Sequence, residues 1–152
     1  MDVQLVNPFI DATISVLSSL AFTEAHVGKP YLKKDAVARG DVSGVVGLSG
    51  NTNATISVTF TKTCILKIVS KMFGEEMTEI NDEVKDAVGE ILNIVSGSGR
   101  QKLESMGKSL KGGIPTVITG KNHTITHITS SPIIAVPFST ENGDFTFEVC
   151  FE

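Results

Sequence analysis

The amino-acid sequence predicts an α+β fold, with helices and antiparallel strands arranged in two similar halves. Three observations lead there. The segment from about Asn81 to Met106 carries the longest helical pattern in the chain. Pairs of alternating apolar runs, separated by turn residues, read as β-hairpins. A short early stretch, Asp11-Ala12-Thr13-Ile14-Ser15-Val16-Leu17-Ser18, is matched in kind by Asp86-Ala87-Val88-Gly89-Glu90-Ile91-Leu92-Asn93, and strands follow each copy.

The elements follow in order. Residues from about Val3 to Glu24 read as a helix, because Phe9, Ala12, Val16 and Leu20 recur at helical spacing. Pro8 suits its first turn, with Asn7 as the expected cap. Lys29-Pro30 lies in the loop that follows. Val42 to Leu48 and Ala54 to Phe60 are β-rich runs, and Ser49-Gly50-Asn51-Thr52-Asn53 between them makes a hairpin turn. Thr61 or Thr63 caps a short helix through Met72-Phe73, which Gly74 stops. The long helix comes next, with Gly97-Ser98-Gly99 able to loosen its middle and Gly112-Gly113 closing the helical region. Ile114–Thr119, Thr124–Thr129 and Ile133–Ser139 are strand candidates. Glu141-Asn142-Gly143-Asp144 is a hairpin signal into a last strand, Phe145–Phe151. Pro132 and Pro137 point to an edge or bulged position.

Composition narrows the function. A chain of 152 residues fits one domain, taken here as 1–152. It buries roughly two-thirds of its unfolded surface without help from disulfides or metals. The net charge of −4 leaves no electrostatic footprint for nucleic acid and no basic face for a membrane. The start, Met1-Asp2-Val3-Gln4, lacks the basic region of a signal peptide, and the apolar stretch Phe9–Phe22 is too short and polar to span a bilayer. The expected location is the cytoplasm. Cys64 and Cys150 are too few for a disulfide framework, and Cys150 reads as a core or interface residue.

The long helix carries the most informative pattern. At about 100° per residue, Val84, Val88, Ile91, Leu92 and Val95 share the core side. Asp82, Asp86, Glu90, Asn93, Gly97 and Arg100 make an uninterrupted ridge on the opposite side. A solvated face is the ordinary explanation, yet this ridge gives up helix stability repeatedly. Asp82, Asp86 and Glu90 are like charges at successive i, i+4 spacings, each pair costing roughly 0.2–0.5 kcal/mol. Asn93 is a mediocre helix former in mid-helix, and Gly89 and Gly97 are poor ones. Small residues beside a polar ridge let another backbone approach, so docking explains the pattern better than solubility.

On these residues the chain resembles the CheC/CheX/FliY phosphatase family. The family motif is an Asp or Ser, a Glu four residues later and an Asn three further on. It stands here as Asp86-x-x-x-Glu90-x-x-Asn93, followed by Ile94-Val95-Ser96-Gly97. Asn7-Pro8-Phe9-Ile10 and Pro132-Ile133-Ile134-Ala135-Val136-Pro137-Phe138 also look CheX-like, so the resemblance spans nearly the whole chain. CheC-like members carry the motif twice. Ser15 and Ser18 depart from it on the first helix, which places the chain nearer CheX and leaves the Asp11/Ser15/Ser18 stripe without an assigned role. The resemblance implies a sandwich-like CheC-like fold, with two pseudo-symmetric halves, long helices and a mainly antiparallel sheet. It also implies a homodimer.

The implied activity is hydrolysis of the aspartyl phosphate of a response-regulator receiver, with Asn93 and Glu90 as the catalytic pair. The matching Asn holds the attacking water in line, and the matching Glu pairs with the receiver's lysine. Asp86, Gly89 and Gly97 are expected to bind the receiver. No cofactor or metal is expected on this chain; Mg²⁺ is expected in the partner receiver's site. The alternative is a non-catalytic receiver-binding or motor-switch scaffold using the same ridge. His123 and His127 would share a strand face, but two histidines without a nearby carboxylate or thiol make a thin metal site. Gly44–Gly50 lacks the Lys-Ser/Thr of a P-loop and reads as bulged or closely packed strand.

Overall fold

The computed structural model describes residues 3–127 and 132–152. A 3₁₀ turn, Val3–Leu5, leads into helix α1, Asn7–Ala21. Pro8 lies in the first turn as expected, but Val6, not Asn7, holds the cap position, and no side chain caps the helix. Two short strands follow, β1 (His26–Val27) and β2 (Tyr31–Lys33). The expected hairpin is β3 (Val42–Gly50) with β4 (Ala54–Phe60). Helix α2, Lys62–Phe73, begins where the Thr61 hydroxyl accepts from the Cys64 N–H, and it stops at Gly74 with φ of 69°, a conformation that suits glycine.

Helix α3, Asp82–Ser105, starts at Asn81, whose side chain accepts from the Val84 N–H. It runs unbroken through Gly97-Ser98-Gly99. The expected loosening there does not occur, because Gly99 is a packing position. A Cβ on Gly99 would lie 2.3 Å from Cδ1 of the buried Phe9 on α1. We predict that Gly99→Ala destabilises the fold by about 1–3 kcal/mol, since overpacking outweighs the gain in helix propensity. Urea unfolding checks this; an unchanged midpoint would contradict it.

The helical region ends earlier than Gly112-Gly113 suggests. Gly107 turns the chain at φ of 86°, and β5, Leu110–Gly112, has already begun a new edge. Strand β6, Thr116–Thr119, falls within the expected 114–119 run. The expected strand from Thr124 to Thr129 is not formed over its described part. Thr124 makes only an isolated bridge to Val37, and 128–129 lie outside the described residues. Strands β7 (Ile133–Thr140) and β8 (Gly143–Phe151) form the closing hairpin.

The sheet is antiparallel throughout, in the order β1-β7-β8-β4-β3-β5, with β2 also on β7 and β6 also on β3. This order displays the two halves. Each half supplies a helix, a split edge strand and a hairpin, and each split edge pairs with the other half's hairpin. The hairpins meet at β4–β8, and α2 links the halves. Strand β7 is therefore not the outermost strand, so of the edge or bulged position expected from its prolines the edge is not found. Pro137 is accommodated between β1 and β2, where its carbonyl accepts the Gly28 N–H at 2.7 Å.

All three helices pack on one sheet face. Ala54, Ile56, Val58 and Phe60 of β4 and Phe145, Phe147 and Val149 of β8 join Val88, Ile91, Leu92 and Val95 of α3 in one core. Gly44 is the closely packed strand residue expected, since a Cβ there would come within 3.1 Å of Leu92. The reverse face is polar and is covered by segments 33–41 and 120–127. Cys64 and Cys150 are both buried, and burial pushes the Cys64 thiol up to about 11.

Candidate functional site

Helix α3 presents its ridge to solvent. Val84, Ala87, Val88, Ile91, Leu92 and Val95 are buried, which turns Asp86, Glu90 and Asn93 outward, all three exposed. Gly89 and Gly97 are half-buried beside them. Among the described residues, no side-chain hydrogen bond or ion pair engages Asp86, Glu90 or Asn93 within the chain. A carboxylate and a carboxamide three residues apart on one helix face have Cβ atoms roughly 5–6 Å from each other.

The glycines support the docking reading, and one acidic residue weakens it. A Cβ on Gly89 would meet only Val117 at 3.6 Å, and one on Gly97 only the Arg100 guanidinium at 3.8 Å. Neither glycine is needed by the chain's own packing, unlike Gly99. Asp82, by contrast, has a local explanation: it stands in the first turn, where the helix dipole favours acid, and Lys85 lies 3.7 Å away.

Opposite the ridge stands a wall that sequence reasoning missed. Asp86, Gly89, Glu90 and Asn93 form one side of an open groove of about 400 Å³, and Gly113, Ile114, Pro115 and Val117 form the other. The chain reverses at Gly107, and β5 and β6 then run one after the other along β3, with residues 113–115 interrupting that edge beside α3. Only the pairing of two short strands reveals this neighbour, and no local sequence pattern announces it. Arg100 lies farther along α3, with its guanidinium against Gly112 and its Nε–H donating to Ser96 Oγ at 3.2 Å.

The first helix carries the matching stripe with Ser15 and Ser18 where α3 has Glu90 and Asn93. Asp11, Ser15 and Ser18 are exposed on α1, and Asp11 lies 3.8 Å from Lys102 of α3. The histidines serve the polar reverse face. His123 Nε2 lies 2.6 Å from Ser43 Oγ, and His127 Nε2 lies 3.1 Å from Glu148 Oε1. Lys33 bonds the other Glu148 oxygen. Burial alone would raise the Glu148 pKa, but hydrogen bonds from His127 and Lys33 outweigh it and hold the carboxyl below its ordinary range. This buried cluster was also missed, because its three members come from distant parts of the sequence. Exposed His26 stands in β1, 3.7 Å from Glu24. No described helix is long and apolar enough to cross a membrane.

Comparison with known proteins gives consistent findings. Residues 42–139 match the family described as chemotaxis phosphatase CheX. The chain is 28% identical over 153 residues to the CheY-P phosphatase CheX of Thermotoga maritima, covering 98% of this chain and 97% of that protein. It is similar to the crystal structure of a chemotaxis protein CheX from Desulfovibrio desulfuricans, with 48% identity, a TM-score of 0.92, and 98% and 99% of the two chains covered. It also superposes on the CheX–CheY–BeF₃–Mg²⁺ complex from Borrelia burgdorferi, with 28% identity, a TM-score of 0.82 and 97% of each chain covered.

Proposed function

The chain belongs to the CheX family of chemotaxis phosphatases, and from that premise we propose that it hydrolyses the aspartyl phosphate of a CheY-type receiver by inserting Asn93 to orient the attacking water. The observation that carries this reading is the exposed, unengaged pair Glu90 and Asn93 on one face of α3. The substrate is an acyl phosphate, already prone to hydrolysis. Water oxygen attacks phosphorus, the bond to the aspartyl oxygen breaks, and the water's protons pass to phosphate and solvent. The products are free aspartate and inorganic phosphate.

Phosphoryl transfer depends on positioning and charge stabilisation more than on protein acid–base chemistry. A carboxamide donates and accepts at once, so Asn93 fixes a water without ionising. Glu90 pairs with the receiver's lysine, where a cation attracts it, while the anionic phosphoryl oxygens repel it. The receiver contributes its own Mg²⁺, and this chain binds no cofactor in this reading. Asp86 lies one turn from Glu90 and adds interface charge. Gly89 and Gly97 admit the receiver's surface. We predict that Gly89→Ala or Gly97→Ala raises fold stability by roughly 0.5–1 kcal/mol while weakening receiver binding. Tighter or unchanged binding in titration calorimetry would remove their docking role.

Residues 1–152 act as one cytoplasmic domain in this proposal, paired as a homodimer. The open edge at β2, with exposed Tyr31 and Leu32, suits self-association; a monomeric mass in sedimentation equilibrium would end that part. Phosphate release from phosphorylated CheY-type receivers tests the function. A non-catalytic scaffold would bind them and release nothing.

A further inference from the structure

We infer that the loop Gly113-Ile114-Pro115 is a second, apolar half of the receiver-docking surface, with Ile114 entering an apolar recess beside the receiver's phosphoaspartate pocket. The inference rests on the receiver-phosphatase reading above and adds an affinity-determining residue to it. Ile114 is 92% exposed, more than any other large hydrophobic residue described. No described residue covers it, so its apolar surface is not part of the described core. A single exposed aliphatic residue is ordinary on a protein surface; its position here is not. It stands on the wall facing Glu90 and Asn93 across one groove. A partner whose pocket receives Asn93 must lie against this wall.

The loop is also built to hold Ile114 in place. Gly112 pairs with Leu48 and Thr116 with Val45, so both ends are fixed to one strand, β3. The Gly113 N–H donates to the Gly47 carbonyl at 2.9 Å. Pro115 fixes its own φ and restricts Ile114 to extended backbone. A side chain presented this way loses little freedom on binding, so most of its burial appears as affinity. The two walls then divide the work. Polar groups on α3 set register and chemistry, and the aliphatic loop supplies contact area. The occupant is a receiver rather than a second copy of this chain, because a copy seated here would cover Asn93.

The test uses the full chain and a CheY-type receiver loaded with beryllofluoride and Mg²⁺. Ile114→Ser is expected to weaken binding about tenfold, the order expected from losing one buried aliphatic side chain. Ile114→Asp is expected to weaken it further, and Ile114→Leu to stay close to wild type. Because Ile114 is so exposed, the unfolding midpoint should not move. Single-turnover dephosphorylation at saturating chain should keep its rate in all three variants. Wild-type affinity in Ile114→Asp, with Asn93→Ala still impaired, would overturn this inference and leave the phosphatase reading intact. A reduced saturated rate at unchanged affinity, or dissociation of a dimer by Ile114→Asp, would also overturn it. A wild-type chain that neither binds nor dephosphorylates any receiver would remove both.

Discussion

Asn93→Ala is expected to lower receiver dephosphorylation by about a hundredfold, the scale of losing precise placement of a reactant. That ratio corresponds to about 2.7 kcal/mol of transition-state stabilisation. The residue is exposed and engages no other described side chain, so its removal leaves the core untouched. Alanine is also the better helix former, so α3 should be no less stable. Affinity for a beryllofluoride-loaded receiver should stay near wild type, because Glu90 and the facing loop remain. Steady-state phosphate release, with calorimetric binding beside it, separates the two quantities. Loss of binding in parallel with rate would make Asn93 a docking residue instead.

Glu90→Lys is expected to act on the other quantity. In the proposed complex, Glu90 meets a receiver lysine at the rim of the phosphoryl site. Reversing its charge replaces an attraction with a repulsion, and like charges set together across an interface cost several kcal/mol. Binding should weaken by roughly a hundredfold or more. Raised salt should narrow the gap, since exposed charges are screened within about 10 Å at 0.1 M. Glu90→Gln, which keeps the shape and loses the charge, should fall between. Measured affinities at two ionic strengths check this; a Glu90→Lys variant that binds as tightly as wild type would leave the carboxylate without its docking role.

Both predictions depend on features that are legible in the sequence alone. The 3.6-residue period of Val84, Val88, Ile91, Leu92 and Val95 determines which side of α3 is buried, and hence where Glu90 and Asn93 point. Turn residues around Gly50 and Gly143 defined both hairpins, and Gly74 stopped α2. These signals are local: each is written within a few residues of the structure it directs.

What escaped was non-local. Strands β1, β2 and β5 are two or three residues long, too short to show a period, and they exist because a neighbouring strand offers an edge. Pro137 suggested an edge or bulged position, but its tolerance comes from the gap between β1 and β2. Gly99 looked like a weak point in α3 and is where Phe9 packs; only the α1–α3 contact distinguishes it from Gly97. The wall at Ile114 has the same character. Its residues follow α3 after the turn at Gly107 and the short strand β5, and pairing of β5 and β6 along β3 sets them facing Asn93. The sequence thus disclosed the polar wall of the groove, and tertiary pairing disclosed the aliphatic wall that faces it.

The most direct measurement is the single-turnover decay of receiver phosphoaspartate, followed with the chain in excess and compared with the receiver's own spontaneous decay. Wild type should speed the decay strongly, while Asn93→Ala, shown by titration to be fully bound, should return it most of the way to the spontaneous rate. Decay by fully bound Asn93→Ala as fast as wild type would contradict an oriented water held by that carboxamide.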